Sequence, residues 1–392
     1  MKKLISGSQR AKAQRLGGQY RRLSTRQSQG LSLLEMLVAL ALGVVVLAGA
    51  FNLFIGTSRT FGVNENLSRM QEDARFALNV LERDVKMSGF RGCSPIFNNN
   101  LDLPANSLEM RLYLNDALLG WEYENTAPAD TLTLDAAALA PNAMAYTNGT
   151  GDSLHDQLVD IVLAGSDVVI LNRTNRVEAP LNGNPDTVNL SRIGLAVNSN
   201  VPQGALMLVV DDHCAQADLF QKTNEANQPE VIAVTGSGLN PDNVSSGYNF
   251  EIQNDARLYQ VRSTAYYLGL GTDDQPALFL KNLDMPNQHA VELVQGVETM
   301  QILYGITNAA NSTQTTAYVT ADQVTNWNNV LSVRLALLLR STQTANNHTN
   351  RRLYNLSGTQ INPTGGEFDN PDGDQNLRIL VTKTVGLRNR LR

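Results

Sequence analysis

The sequence predicts an α+β protein: a long N-terminal α-helix packed on an antiparallel β-sheet, with large loop insertions. Three observations carry this. Residues Leu31–Ile55 are almost wholly apolar and hold a single charge. The segment that follows, as far as Ser88, repeats apolar residues at helical spacing. Beyond residue 100, short apolar and β-branched runs alternate with Asn, Gly, Pro and Asp.

The apolar run comes first. At about 1.5 Å per residue it makes a helix of about 37 Å, enough to cross a hydrocarbon layer of about 30 Å. A cleaved secretory signal would have a shorter apolar region followed by a small-x-small cleavage site, and the polar helix beyond carries none. A plain membrane anchor fits the length but leaves Glu35 unexplained. That carboxylate is the only charge in the run, costs about 2.5–3.5 kcal/mol inside a membrane, and needs a partner.

Charge orients the segment. Residues 1–30 carry eight basic side chains (Lys2, Lys3, Arg10, Lys12, Arg15, Arg21, Arg22 and Arg26) and no acidic ones, leaving 23 basic against 37 acidic residues after Gly30. A basic head before an apolar run predicts a cytoplasmic head and an exported, acidic remainder. A nucleic-acid-binding arm is the competing reading of the head. It is set aside because such an arm would not abut a membrane-length run, and no nucleic-acid partner is expected.

After Gly62 the helix turns one-sided. Leu67, Met70, Ala74, Ala77, Leu78, Leu81 and Val85 form one stripe, with Arg69, Glu72, Asp73, Arg75, Glu82 and Lys86 opposite. Ser88-Gly89, then Gly92 and Pro95, predict the stop. Gly43, Gly49, Gly56 and Gly62 weaken the helix locally by about 1 kcal/mol each relative to Ala.

In the remainder, strands are expected at Thr131–Leu134, Asp167–Leu171, Leu206–Val210, Val231–Val234, Leu258–Leu268, Ala277–Leu280, Met300–Tyr304, Val330–Leu339 and Ile379–Leu387. The polar tracts 307–329 and 341–377 read as surface loops. With 392 residues and 42% hydrophobic content, the chain can bury a full core without stapling. Its two cysteines, Cys93 and Cys214, read as a disulfide in an exported chain, with two free thiols as the alternative.

Catalytic patterns are missing from the sequence: there is no G-x-S-x-G, H-E-x-x-H or P-loop, and His155, His213, His289 and His348 are scattered. No enzyme activity and no cofactor are expected. His213 beside Cys214 reads as a disulfide neighbour rather than a metal ligand. Asp369, Asp372 and Asp374 alternate as in a calcium loop, but turn chemistry accounts for them equally, so no metal is assigned.

Gly30 followed by Leu31-Ser32-Leu33-Leu34-Glu35 resembles the class III signal of type IV prepilins and pseudopilins. Leu31 stands where Phe or Met is commoner. The resemblance narrows downstream. The stretch Arg69–Leu78 running on to Leu81–Cys93, then Asp212-His213-Cys214 with Gln216–Phe220, Leu293–Glu298, Leu303-Tyr304-Gly305 and Leu387–Arg390, is similar to the PilW-type minor pilins of type IV pili.

That resemblance implies cleavage by the prepilin peptidase between Gly30 and Leu31, N-methylation of Leu31, and pairing of Glu35 with the N-terminal amine of a neighbouring subunit. It divides the chain into a cleaved basic leader (1–30), the transmembrane and assembly half of the helix (31–55), its amphipathic half (56–92) and an exported β-rich domain (93–392). It also implies a pilin-like fold, residence in the bacterial inner membrane with the C-terminal domain periplasmic, and later exposure on the pilus at the cell surface. The implied role is priming of pilus assembly near the tip. The implied partners are other minor pilins, the major pilin, the peptidase, the inner-membrane assembly platform and membrane lipid. A minor pseudopilin of a type II secretion system and a tip adhesin are the alternatives.

Overall fold

The computed structural model describes residues 32–389 except 95, 105–106, 135–142, 183–190, 251, 253–254, 273, 285–287, 309–312, 343–351 and 364–375. Gly30 and Leu31, between which cleavage is expected, and the aspartates Asp369, Asp372 and Asp374 lie outside the described residues. The chain divides into two units, one ending at Ser58 and one starting at Arg59.

The helix Leu33–Met87 contributes to both units. In the first, its large apolar side chains from Leu33 to Phe54 are exposed, and the helix is long and apolar enough to cross a membrane. In the second, the expected stripe is found. Met70, Ala74, Ala77, Leu81 and Val85 are buried, and the same stripe draws Asp84 inside. The stop also falls where Ser88-Gly89 places it. Gly89 has φ +77°, a left-handed closure that glycine adopts without strain, and a Cβ there would lie 2.9 Å from the Ala117 Cβ.

Two sheets receive the stripe. The larger has nine strands among the described residues. Its main path runs Asn98–Asn99, Ala217–Gln221, Leu206–Val210, Arg257–Leu270, Val168–Arg176, Leu118–Tyr123 and Tyr146–Thr147. The strand Pro276–Asn282 pairs with the far half of Arg257–Leu270 and in turn with Val291–Gln295. The second sheet is antiparallel throughout: Ala317–Val319, Val297–Ile306, Val330–Arg340, Arg378–Gly386. Two short parallel pairs, Asn98–Asn99 with Asp218–Leu219 and Thr131–Thr133 with Gln360–Asn362, depart from the all-antiparallel expectation.

Strand alternation explains the layering. Along Val330–Arg340, Val333, Leu335, Leu337 and Leu339 face the core shared with the helix stripe, while Ala336 and Leu338 face a small second core. A strand buried on both faces reads as a continuous apolar run, which is why Leu335–Leu339 is uninterrupted. The small core corrects the loop reading of 341–377. Within that tract, Tyr354–Leu356 and Thr359–Asn362 form a hairpin whose Tyr354, Leu356 and Ile361 cover Ala336 and Leu338. The tract 307–329 is corrected likewise. It forms the edge strand Ala317–Val319 and inserts Ala321, Val324 and Trp327 into the main core.

Leu206–Val210 repeats the device, with Met207 and Val209 facing a core built by the 179–256 region and Leu206, Leu208 and Val210 facing another. Cys93 and Cys214 are bonded, Cα to Cα 5.4 Å. The bond ties the chain just past the helix to the turn between Leu206–Val210 and Ala217–Gln221.

Candidate assembly site

Glu35 stands at the third position of the helix, and the chain before it is built to start one there. The Ser32 carbonyl accepts the Met36 N–H at 3.1 Å, which makes Ser32 the N-cap. Ser32 Oγ accepts the Leu34 N–H at 3.3 Å, and the Ser32 N–H donates to Glu35 Oε2 at 3.1 Å. This is a variant of the reciprocal capping box, with the serine oxygen on the N–H of the second helical position and the glutamate reaching back to the N-cap N–H. A carboxylate here also meets the positive end of the helix dipole. In the sequence Glu35 stands out by its charge, while Ser32 enters only as a member of the signal motif. The signal was present as S-x-x-E directly before an apolar run.

At the other end of the helix, polar side chains clasp it to the sheets. Glu82 pairs with Lys86 one turn on and with Lys383 of the strand Arg378–Gly386, and these two ammonium groups hold its carboxyl down to about 2. Asp84, buried in the stripe, accepts the Tyr266 hydroxyl at 2.6 Å, with Arg173 Nη2 at 3.7 Å and Arg83 Nε at 3.2 Å. Asn389 Nδ2 donates to the carbonyls of Met87 and Ser88, at 3.3 and 3.0 Å. Gly89 N–H donates to the Asn172 carbonyl at 2.7 Å. The last carbonyls and the stop of the helix are thus satisfied by residues distant in sequence.

The second unit also holds a buried carboxyl pair that the sequence did not reveal. Asp167 accepts the N–H groups of Ile302 at 2.7 Å and Tyr123 at 3.3 Å. Glu122 accepts the Thr126 hydroxyl at 3.0 Å through Oε1, and its Oε2 has no partner among the described residues. Burial first, and for Glu122 the neighbouring Asp167 next, hold both carboxyls well above their ordinary range. Two N–H donors favour Asp167 as the carboxylate and leave Glu122 as the protonated acid. Around them stand Tyr123, Tyr146, Tyr304 and Asp322.

His213 is exposed, with Nδ1 2.6 Å from Asp212 Oδ1; together with Asp211 these groups offer three donor atoms within 4.8 Å of one another. His155 is apart from them and mostly buried, its pKa lowered chiefly by burial.

Comparison with known proteins places both ends of the chain. Residues 265–389 match the family described as type IV pilus-assembly protein W, and residues 25–51 match the prokaryotic N-terminal methylation motif. No curated protein matches the chain significantly. Among solved structures it is similar to a type IV-like pilin from Thermus thermophilus, at 12% identity over 83% of this chain and 98% of that one, with a TM-score of 0.28. The second unit's sheet strands from Val297 to Gly386 fall within the first match, and the capping box with the apolar helix start falls within the second. The chain thus carries the N-terminal methylation motif over the start of an apolar helix that fits inner-membrane anchoring, and over its C-terminal sheets it is similar to the type IV pilus-assembly protein W family.

Proposed function

We propose that this chain is a minor pilin that primes pilus assembly and takes a place at or near the tip. On this reading the peptidase cuts between Gly30 and Leu31, the Leu31 amine is methylated, and the subunit waits in the inner membrane with residues 93–392 in the periplasm. Glu35 then receives the N-terminal ammonium of a neighbouring pilin, and the exported domain meets other minor pilins and the major pilin at the cell surface. Its work is assembly rather than catalysis.

The observation that carries the reading is the position of Glu35. It is the sole charge between Leu33 and Ser58, at the very start of a membrane-length helix, inside the methylation-motif match. A carboxylate and an ammonium that meet within lipid each lose less on desolvation than either alone.

The test is intact mass and N-terminal sequencing of the membrane-extracted protein, with and without the peptidase, together with immunodetection in sheared pili. A chain beginning at methylated Leu31 only when the peptidase is present, and found in the pilus fraction, is the expected result. A chain that keeps residues 1–30, or a mature chain never found outside the membrane, overturns it.

A further inference from the structure

The capping box has a consequence for assembly, resting on the reading that Glu35 meets a neighbour's ammonium. A helix that begins within an apolar layer has four N–H groups with no intrahelical acceptor, and no water to satisfy them. Ser32 Oγ and Glu35 Oε2 take two of the four, those of Leu34 and Ser32. Both hydrogen bonds depend on Ser32 as the N-cap, because its carbonyl closes the first turn onto Met36. The contact from Ser32 N–H also fixes where the Glu35 carboxylate lies. It is folded back beside the N-cap, with Oε2 engaged, and not extended along the helix surface. A helix start without the serine oxygen would fray through the first turn, and the carboxylate would lose its fixed height along the helix.

We propose that Ser32 is a positioning residue for assembly: it caps the helix and holds the Glu35 carboxylate at the helix start, where the second oxygen receives an incoming ammonium. Glu35 then has two simultaneous duties, one to its own backbone and one to a neighbour. The cap is not displaced when the ammonium arrives. It sets the carboxylate in place beforehand, so less side-chain freedom is lost on docking.

The experiment compares full-length variants expressed in cells that make pili: Ser32→Ala, the near-isosteric pair Ser32→Thr and Ser32→Val, and Glu35→Gln. Each is first checked by intact mass for the cut after Gly30, and the mature chain is then quantified in membrane and sheared-pilus fractions. The expected result for Ser32→Ala and Ser32→Val is a normal membrane pool with a pilus share lowered about fivefold, the loss of one cap. Ser32→Thr, which keeps an Oγ acceptor, restores the wild-type share. Glu35→Gln keeps an oxygen able to accept the Ser32 N–H but loses the charge, and it leaves the pilus fraction.

Wild-type incorporation of Ser32→Val overturns the proposal. So does a membrane pool that falls in step with the pilus share, because a purely structural cap would act on both. If Ser32→Ala is left uncut, the Thr and Val pair, judged on mature chains alone, carries the comparison. Failure of the assembly reading looks different. There Glu35→Gln incorporates like wild type, or wild type itself never leaves the membrane.

Discussion

Tyr266 donates its hydroxyl proton to Asp84 Oδ2 at 2.6 Å, joining the buried stripe of the helix to the longest strand of the nine-stranded sheet. Burial and the Asp84 charge both push the Tyr266 hydroxyl up, so it remains a donor at every working pH. In Tyr266→Phe, Asp84 would stay buried with its nearest remaining cations, Arg173 at 3.7 Å and Arg83 at 3.2 Å. The expected loss is about 1.5–3 kcal/mol, that of a hydrogen bond to a charged group. Denaturant unfolding of the whole chain in detergent, followed through the fluorescence of buried Trp121 and Trp327, measures it. A loss below about 0.5 kcal/mol would show that the two arginines suffice.

The Glu122–Asp167 pair gives the second unit a pH dependence of defined sign. Burial raises both carboxyls, and Glu122, the member without backbone N–H donors, keeps a proton in the native state that the unfolded chain has released. Stability is therefore greatest below the ordinary carboxylate pKa of about 4 and falls as pH rises toward the raised values, by up to about 1.4 kcal/mol per pH unit for each proton retained. The half-buried clasp at Glu82 runs the other way, because its lowered pKa makes its contribution vanish only in strong acid. Between pH 5 and 8 the fall due to the buried pair is opposed by His155, whose lowered pKa adds stability as pH rises, so the difference between wild type and a pair variant is what isolates the pair. Glu122→Gln, neutral at all pH, is expected to flatten the melting temperature over that range and raise it at pH 8. An unchanged slope in the variant would place the dependence elsewhere.

Gly120 is a strand position where the main core has no room for a side chain. A Cβ there would lie 1.9 Å from Tyr304 Oη and 3.1 Å from Trp327 Cη2, and the two rings already meet edge to face at 4.9 Å. Gly120→Ala is expected to cost about 3 kcal/mol or more through overpacking. Tyr304 Oη itself is buried without a partner among the described residues. Tyr304→Phe is accordingly expected to leave the melting temperature unchanged or raise it, and to recover part of the Gly120→Ala loss. Strict additivity of the two changes would contradict the contact.

Cys93 and Cys214 lie 121 residues apart in sequence. In the chain-entropy account, removing such a link costs about 4–5 kcal/mol. The double variant Cys93→Ser/Cys214→Ser is expected to lose stability on that scale. Wild type melted with a reductant should match it, while the double variant should not respond to reductant at all.

Where the sequence was legible, the physics was local. The strand Leu206–Val210 lies within its expected bounds to the residue, and the stripe from Met70 to Val85 is buried as its spacing demands. Strand ends elsewhere run a few residues further, as at Val168–Arg176, because Asn172 and Thr174 are buried and hydrogen-bonded there although their types suggest a loop. The tract 341–377 was misread because Tyr354, Leu356 and Ile361 are isolated among polar neighbours. Only the second face of Val330–Arg340 explains what they cover. Glu122 and Asp167 could not be paired from sequence, since each is brought to the other by a strand register between Leu118–Trp121 and Val168–Leu171. Ser32 is the opposite case, a local signal available in four consecutive residues and overshadowed by the charge beside it.

The clasp at the helix exit imposes an order of events. Glu82 waits for Lys383, and the carbonyls of Met87 and Ser88 wait for Asn389, across a span of some 301 residues. On the proposed reading the chain crosses the membrane helix first, so the seal at the helix exit waits for the strand Arg378–Gly386 even though earlier segments already share the core of the stripe. Contacts this distant form late and slowly. A subunit that stalls or loses its last strand would keep its membrane anchor but leave the helix exit unsealed. A complete C-terminus is then the condition on which an anchored chain becomes a finished building block.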